Sequence, residues 1–458
     1  MNKPDVIIGL EVHIQLKSRS KLFCPCPTTG DDEPNTRVCP TCLGHPGSKP
    51  LLNKAAVDAA VRLALALSSQ INPVLNFSRK QYFYPDLAKN YQITQYEIPV
   101  GNHGNITLAN GKRIDLMRLH IEEDPAALTH TSTTCLIDYN RSGIPLIELV
   151  TEPAMHSPDE AREFLNTLMT ILGYLNIFNP DEGVMKADAN VSIAARGYTR
   201  VEIKNILGFK EIERALTFEI ARQRAHEVVR ETRGWDAAAG QTYRMRAKEK
   251  EEDYGYIFEP DIPSVNISQE YLNSIRTTVP ELPSAKAERW VQTLHIDPTD
   301  ATIISTELAL AERFERLAQH HSAILVARWL RRELLRVLNL TGKKVNDVAE
   351  QRLHELFDLL EKKTITDKIG QQLIEELAKK EFSPKQRVEE QNLGAIGDVE
   401  AIKHACAEEM EKNKQAVADY KAGEEKAFHY LFGQVMRAMK GKAKPDVIKQ
   451  VLKNILEG

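Results

Sequence analysis

Val6-Ile-Ile-Gly-Leu-Glu-Val-His-Ile-Gln-Leu16 decides the fold class of this chain. Val6, Ile8, Leu10, Val12, Ile14 and Leu16 alternate with Ile7, Gly9, Glu11, His13 and Gln15. A period of two predicts a strand with one apolar face, and the other face here carries an acid and an imidazole. Working outward, strand-like segments recur at 113–122, 145–152, 186–193 and 201–207. Helices fall among them. One at about 53–68 carries its apolar stripe on Val57, Ala60, Val61, Ala64 and Leu65, and another spans about 210–230. Ser157-Pro158-Asp159-Glu160 predicts a helix start, with Ser157 as N-cap, Pro158 at the first helical position and Glu160 as capping-box partner. The pattern is α+β.

Near residue 283 the character changes. Helical periodicity then runs through about 284–294, 300–319, 323–338, 350–361, 367–380, 399–421, 424–440 and 445–457, with Gly423 and Gly441 read as C-caps. The stretch 381–397, with Ser383-Pro384 and two glycines, reads as a linker. These changes divide the chain into 1–288, 289–396 and 397–458.

The chain has 458 residues, 42% hydrophobic and 27% charged, which excludes a mainly disordered polymer. Its formal charge of −4 would repel a polyanion, so any nucleic acid must be met by a local basic patch. No stretch approaches the roughly 20 apolar residues of a membrane helix. Glu11 and His13 come too early for a signal peptide, so a cytoplasmic location is expected. The phosphate loop, the dinucleotide-binding glycine motif, the serine elbow and the Gly-Ser-Ser core of serine amidases are missing from the sequence. If ATP is used, a metal-lined sheet must hold it.

Cys24-Pro-Cys26 is followed after twelve residues by Cys39-Pro-Thr-Cys42. Four thiolates on two tight turns suit a tetrahedral, structural zinc ion with no position open to substrate. Reduced, unliganded thiols or a redox pair are the alternative.

Acids and histidines recur on the polar faces of the other strands. Arg118, His120 and Glu122 alternate with Met117, Leu119 and Ile121, and Lys186, Asp188, Asn190 and Ser192 alternate with Ala and Val. Glu148 and Glu152 interrupt the apolar run from Ile144. A carboxylate amid such residues is costly unless paired or bound to a cation. Gathered in one sheet, these faces would line a cavity suited to Mg²⁺; the alternative is a solvated sheet face. Arg79-Lys80-Gln81-Tyr82-Phe83-Tyr84, with Lys89 and Tyr91, sets rings beside cations as a single-stranded nucleic-acid end would require, though a core edge with a surface pair gives the same pattern. Six basic residues from Arg437 to Lys453 suggest phosphate-backbone contacts or a solvated helix face.

Taken in order, these segments resemble the B-subunit family of aspartyl/glutamyl-tRNA(Asn/Gln) amidotransferases. The matching stretches are Ile8–Leu16, Arg79–Asp86, Arg118–Asp124, Asn140–Glu148, Asp188–Ser192 and Glu202–Asn205. Further along come Asp253-Tyr254, Glu259–Pro263, Pro280–Pro283, Asp419–Gly423 and Lys440-Gly441. The resemblance implies a cradle domain with a largely antiparallel sheet, similar to glutamine synthetase, then an all-α helical domain and a tRNA-binding tail domain. It implies that ATP phosphorylates the side-chain carboxylate of Asp or Glu mischarged on tRNA(Asn) or tRNA(Gln), and that ammonia then displaces phosphate. Ammonia would come from an amidase-type A subunit, with a small C subunit wrapping the pair. The chain is too short to hold the synthetase-like insertion of the related E subunit.

By that resemblance Glu11, His13, Glu123, Glu148 and Asp188 are the catalytic set, with Mg²⁺ on His13, Glu123 and Glu148. Alternation alone would prefer Glu122 to Glu123, and a histidine ligand leaves Mn²⁺ open as well. Lys80, Tyr82, His120 and Glu122 are expected to bind substrate, and Cys24, Cys26, Cys39 and Cys42 to bind zinc. A non-catalytic tRNA-binding scaffold is the competing reading; it has no use for Glu148 and Asp188 in apolar segments.

Overall fold

The computed structural model describes residues 4–180, 183–245, 255–394 and 399–457. The Asp253-Tyr254 motif and the boundary expected at 396 lie outside them. The opening segment forms β1 (Val6–Gln15) inside a ten-stranded sheet. Along the chain follow β2 (Arg113–Glu123), β3 (Pro145–Thr151), β4 (Met185–Ile193), β5 (Val201–Leu207), β6 (Glu231–Asp236) and β7 (Gln241–Arg244). Across the sheet the order is β7-β6-β5-β4-β1-β3-β2, completed by short pairings at Gly101–Asn102 and Gln70–Ile71 and by Asn105–Thr107 on β2.

The sheet is mixed. β5 and β6 run parallel, and the other pairings among the described residues are antiparallel. The parallel pair has a local cause: the chain crosses from β5 to β6 through a helix, α3 (Phe209–Ala225), as a parallel connection requires. Ile8, Leu10, Val12 and Ile14 are buried on the apolar face, in one core with residues of α1 (Lys54–Ala66), α2 (Pro158–Leu175) and α3. Asn53 caps α1 by accepting from the Ala55 and Ala56 amides. Ser157 caps α2 as expected, but Glu160 reaches the amide of His156, one residue before the cap, and Lys112. The third helix stops at Ala225, short of the expected 230.

The chain divides into two compact units, Met1–Leu282 and Pro283–Gly458. Among the described residues the regular elements of the second are helices. The helix expected over 300–319 is two, Pro298–Ser305 and Leu308–Ala318; Asp297 caps the first through the Thr299 and Asp300 amides. The segment read as 323–338 contains a π turn, Leu330–Leu334, and runs on to Thr341, ending at left-handed Gly342. The expected linker holds a short helix, Pro384–Glu390, because Ser383 caps it and Pro384 suits its first turn. The 399–421 segment breaks at Asn413. Ile402, Cys406, Leu431, Val435, Ile448 and Leu452 make a separate small core at the C-terminal end.

Candidate active site and cysteine cluster

Register builds the site. Lys186, His13, Glu148 and His120 stand in one file across β4, β1, β3 and β2. On the same face Asp188 is opposite Glu11, and Glu122 lies two residues past His120. This face is the reverse of the apolar one because strand side chains alternate.

The side chains meet. His13 Nε2 lies 3.4 Å from Glu148, 3.6 Å from Glu122 and 3.8 Å from Glu11. His120 Nε2 lies 3.5 Å from Glu148 and 3.7 Å from Glu122, while its buried Nδ1 has no hydrogen-bond partner. Burial alone would lower the pKa of His13, but Glu148, Glu122 and Glu11 outweigh it and push it up to about 10. Burial raises Glu11, and the charge of Glu148 adds to the rise. Glu148 would be raised by burial too, yet His120 and His13 hold it well below the ordinary carboxylate range. Lys204 donates to Asp188 at 2.7 Å and lies 3.4 Å from Glu202; these acids raise its pKa against the effect of burial.

Two triads emerge, Glu11–His13–Glu148 and His120–Glu122–Glu148, each with its ligand atoms within 4.8 Å of one another. They share Glu148. Each offers one nitrogen and two carboxylate oxygens, a donor set that fits a divalent cation with positions left for water and phosphate.

The four cysteines of the first 42 residues also converge, their sulfurs within 4.8 Å of one another. Cys39 and Cys42 Sγ are 3.9 Å apart, close to the ~3.8 Å edge of a tetrahedron with ~2.3 Å zinc–sulfur bonds. All are free thiols, and the Cys39 amide donates to Cys42 Sγ at 3.1 Å. The set fits zinc, with no fifth donor needed.

Two family models match the chain: the GatB/GatE catalytic domain over residues 6–273 and the GatB domain over residues 312–456. The chain belongs to the GatB family of amidotransferase subunits. Curated relatives, each named as the B subunit of an aspartyl/glutamyl-tRNA(Asn/Gln) amidotransferase, agree along its length. The protein of Carboxydothermus hydrogenoformans is 40% identical, covering 100% of this chain and 99% of its own. That of Caldanaerobacter subterraneus is 41% identical over 99% of each chain, and that of Thermotoga maritima 40% over 99% of each. As a GatB protein the chain is a component of a ligase-type amidotransferase.

In this GatB chain one expected ligand stands apart. Glu123, placed in the metal set by resemblance, bonds Lys89 Nζ at 2.6 Å and accepts from the Ile93 amide. Alternation along β2 turns it away from His13, and Glu122 takes the position instead; no bulge interrupts the β2–β3 register there. Lys80 lies on the strand Ser78–Gln81, and its charge helps hold Glu148 low. Tyr82 follows that strand, half-buried. Sequence reasoning gave no role to Lys204 or to the Lys89–Glu123 pair. Lys204 had a readable signal, since it alternates with Glu202 along β5. Lys89 had none, because its partner is 34 residues away.

Proposed function

We propose that this chain is the ATP-using subunit of a tRNA-dependent amidotransferase, with the charged face of the sheet as its transfer site. The observation that carries the reading is the file Lys186–His13–Glu148–His120, flanked by Glu11, Glu122 and Asp188. A carboxylate resists ammonia because it is anionic and would have to expel oxide. An oxygen of the Asp or Glu side chain on mischarged tRNA(Asn) or tRNA(Gln) therefore attacks the terminal phosphorus of ATP, and the bond to ADP breaks. The ammonia lone pair then forms a C–N bond as the C–O bond to phosphate breaks; a proton passes to phosphate and the amide remains.

Glu11, His13, Glu122 and Glu148 would hold Mg²⁺ or Mn²⁺, which when bound neutralises charge on the phosphates during transfer. Lys80 and Lys204 set positive charge at the rim of these acids, where phosphate oxygens would otherwise be repelled. Tyr82 offers a ring to the terminal base of the tRNA. The cysteine cluster is a structural zinc staple. An amidase-type A subunit supplies ammonia from glutamine and a small C subunit joins the pair, in the cytoplasm. The N-terminal domain, to about 288, is a cradle of the glutamine synthetase kind; 289–396 is a helical domain and 397–458 a tail domain that binds tRNA.

Single-turnover ATP hydrolysis with the partner subunits, mischarged tRNA and Mg²⁺ tests this. Glu148→Gln should abolish hydrolysis while tRNA binding persists. Equal loss of both would favour a non-catalytic tRNA scaffold or a folding defect.

A further inference from the structure

Lys21 is a fully buried lysine, and among the described residues no carboxylate pairs with it. Its ammonium donates to the Tyr139 carbonyl at 3.1 Å and lies 3.7 Å from Cys42 Sγ. Its main-chain amide donates to the Cys26 carbonyl at 2.9 Å, so one residue touches both halves of the cysteine cluster. Gly143 packs against this pair: its φ of +87° favours glycine, and its Cβ position lies at van der Waals distance, 3.4 Å from Lys21 Cδ and 3.8 Å from Cys42 Cβ.

A buried ammonium is costly without a counter-charge, and the group within its reach that carries one once a metal is bound is the Cys42 sulfur. The need is mutual. Four thiolates around Zn²⁺ leave a net excess of negative charge in a site where three of the four cysteines are buried. Hydrogen-bond donors beside metal ligands fix their orientation and tune their donor strength.

We propose that Lys21 is the counter-cation of the four-cysteine metal site, a positioning residue whose ammonium donates to Cys42 Sγ and offsets part of the negative charge that four metal-bound cysteines carry. The inference rests on the cluster's role as a zinc site and goes beyond it.

The test uses the full-length chain as wild type, Lys21→Gln and Lys21→Arg. Zinc per chain is measured first, then the rate of zinc transfer to a chromophoric chelator. Lys21→Gln keeps hydrogen-bond donors but loses the charge, and should release zinc about tenfold faster or more, while Lys21→Arg stays within about threefold of wild type. In the cobalt-substituted chain, loss of the cation should move the thiolate-to-metal charge-transfer band to longer wavelength in Lys21→Gln but not in Lys21→Arg. Equal release from wild type and Lys21→Gln overturns the proposal, as does equal loss in both variants, which would mean packing alone. A wild-type chain that neither carries nor takes up zinc overturns the zinc reading, and the role of Lys21 with it. Should Lys21→Gln fail to fold, acetylation of Lys21 in the wild-type chain decides: it should speed up on zinc removal, and an unchanged rate refutes the pairing.

Discussion

Glu122 and Glu123 are consecutive residues whose carboxylates answer to different partners. Glu122 Oε1 is 3.6 Å from His13 Nε2, whereas Glu123 Oε1 is 2.6 Å from Lys89 Nζ. Both acids are buried, so neither charge can be left to solvent. The period of two along β2 divides their work: one joins the histidine–carboxylate cluster, the other neutralises a lysine on the reverse side of the strand.

The two glutamine substitutions should therefore separate. Glu122→Gln should weaken Mn²⁺ binding, read by isothermal titration calorimetry, by about tenfold or more and leave the melting temperature little changed. Glu123→Gln removes the charge that Lys89 needs, at a cost of roughly 1.5–3 kcal/mol. That lowers the melting temperature by about 2–4 °C per kcal/mol while Mn²⁺ affinity holds. The opposite assignment, with Glu123 controlling the metal, would mean the strand twists out of this register when the ion enters.

Chelation should expose the cysteine cluster. Purified protein should carry about one zinc per chain, and stripping it should add four rapidly reacting thiols to a maleimide titration, since all four sulfurs face one point. Melting should occur several degrees lower, because an ion bound to the native state alone stabilises it by mass action. Protein that holds no zinc and melts unchanged after chelator treatment excludes the staple.

The sequence made the site readable where its period was regular. Alternation placed Glu11 with His13, and His120 with Glu122, on one face of each strand before any pairing was known. It could not supply the register between strands, and the register is what sets His13 beside Glu148, 135 positions later in the chain. The Glu123 assignment came from resemblance, against the period, and the structure follows the period. Lys21 lay beyond reach for another reason: its role depends on a loop folding back from Tyr139 and Gly143, and no local pattern marks such a return. In the helical unit periodicity found the longer helices but missed Pro384–Glu390 and merged neighbours, because the breaks at Thr306 and Asn413 carry no Pro or Gly to mark them.

Acid should loosen the helical unit through Glu315. Its carboxylate accepts from Lys286 at 2.8 Å and from the buried Trp290 indole at 3.1 Å, and it is bonded by Arg289. Burial would raise its pKa, but these donors prevail and hold it below the ordinary glutamate value. A folded-state pKa below the unfolded value of about 4.3 means the contribution is complete above that pH and is lost as pH falls through the folded value. Urea midpoints followed by tryptophan fluorescence should thus drop between about pH 5 and pH 3 in wild type. Glu315→Gln should start about 1–2 kcal/mol lower at neutral pH and fall less steeply. Parallel pH curves for the two proteins would show that Glu315 does not drive the acid transition.

Three lysines near the C-terminus test the tail as a polyanion contact. Lys440 and Lys442 follow the helix Glu425–Ala438, and Lys444 precedes the helix Pro445–Glu457. Lys453, in contrast, is spent on Glu457 at 3.7 Å. The overall charge of −4 would repel tRNA, so attraction must arise from such local concentrations. Each phosphate contact releases counter-ions, and the log–log slope of affinity against salt falls by about 0.7–0.9 for each contact removed. Changing Lys440, Lys442 and Lys444 together to Gln should weaken tRNA binding at low salt and flatten that slope by about 2. Ala443 and Ile448 stay in their core, so circular dichroism should be unaltered. A slope identical to wild type would place the tRNA on another surface, and the basic run would then be a solvated helix face.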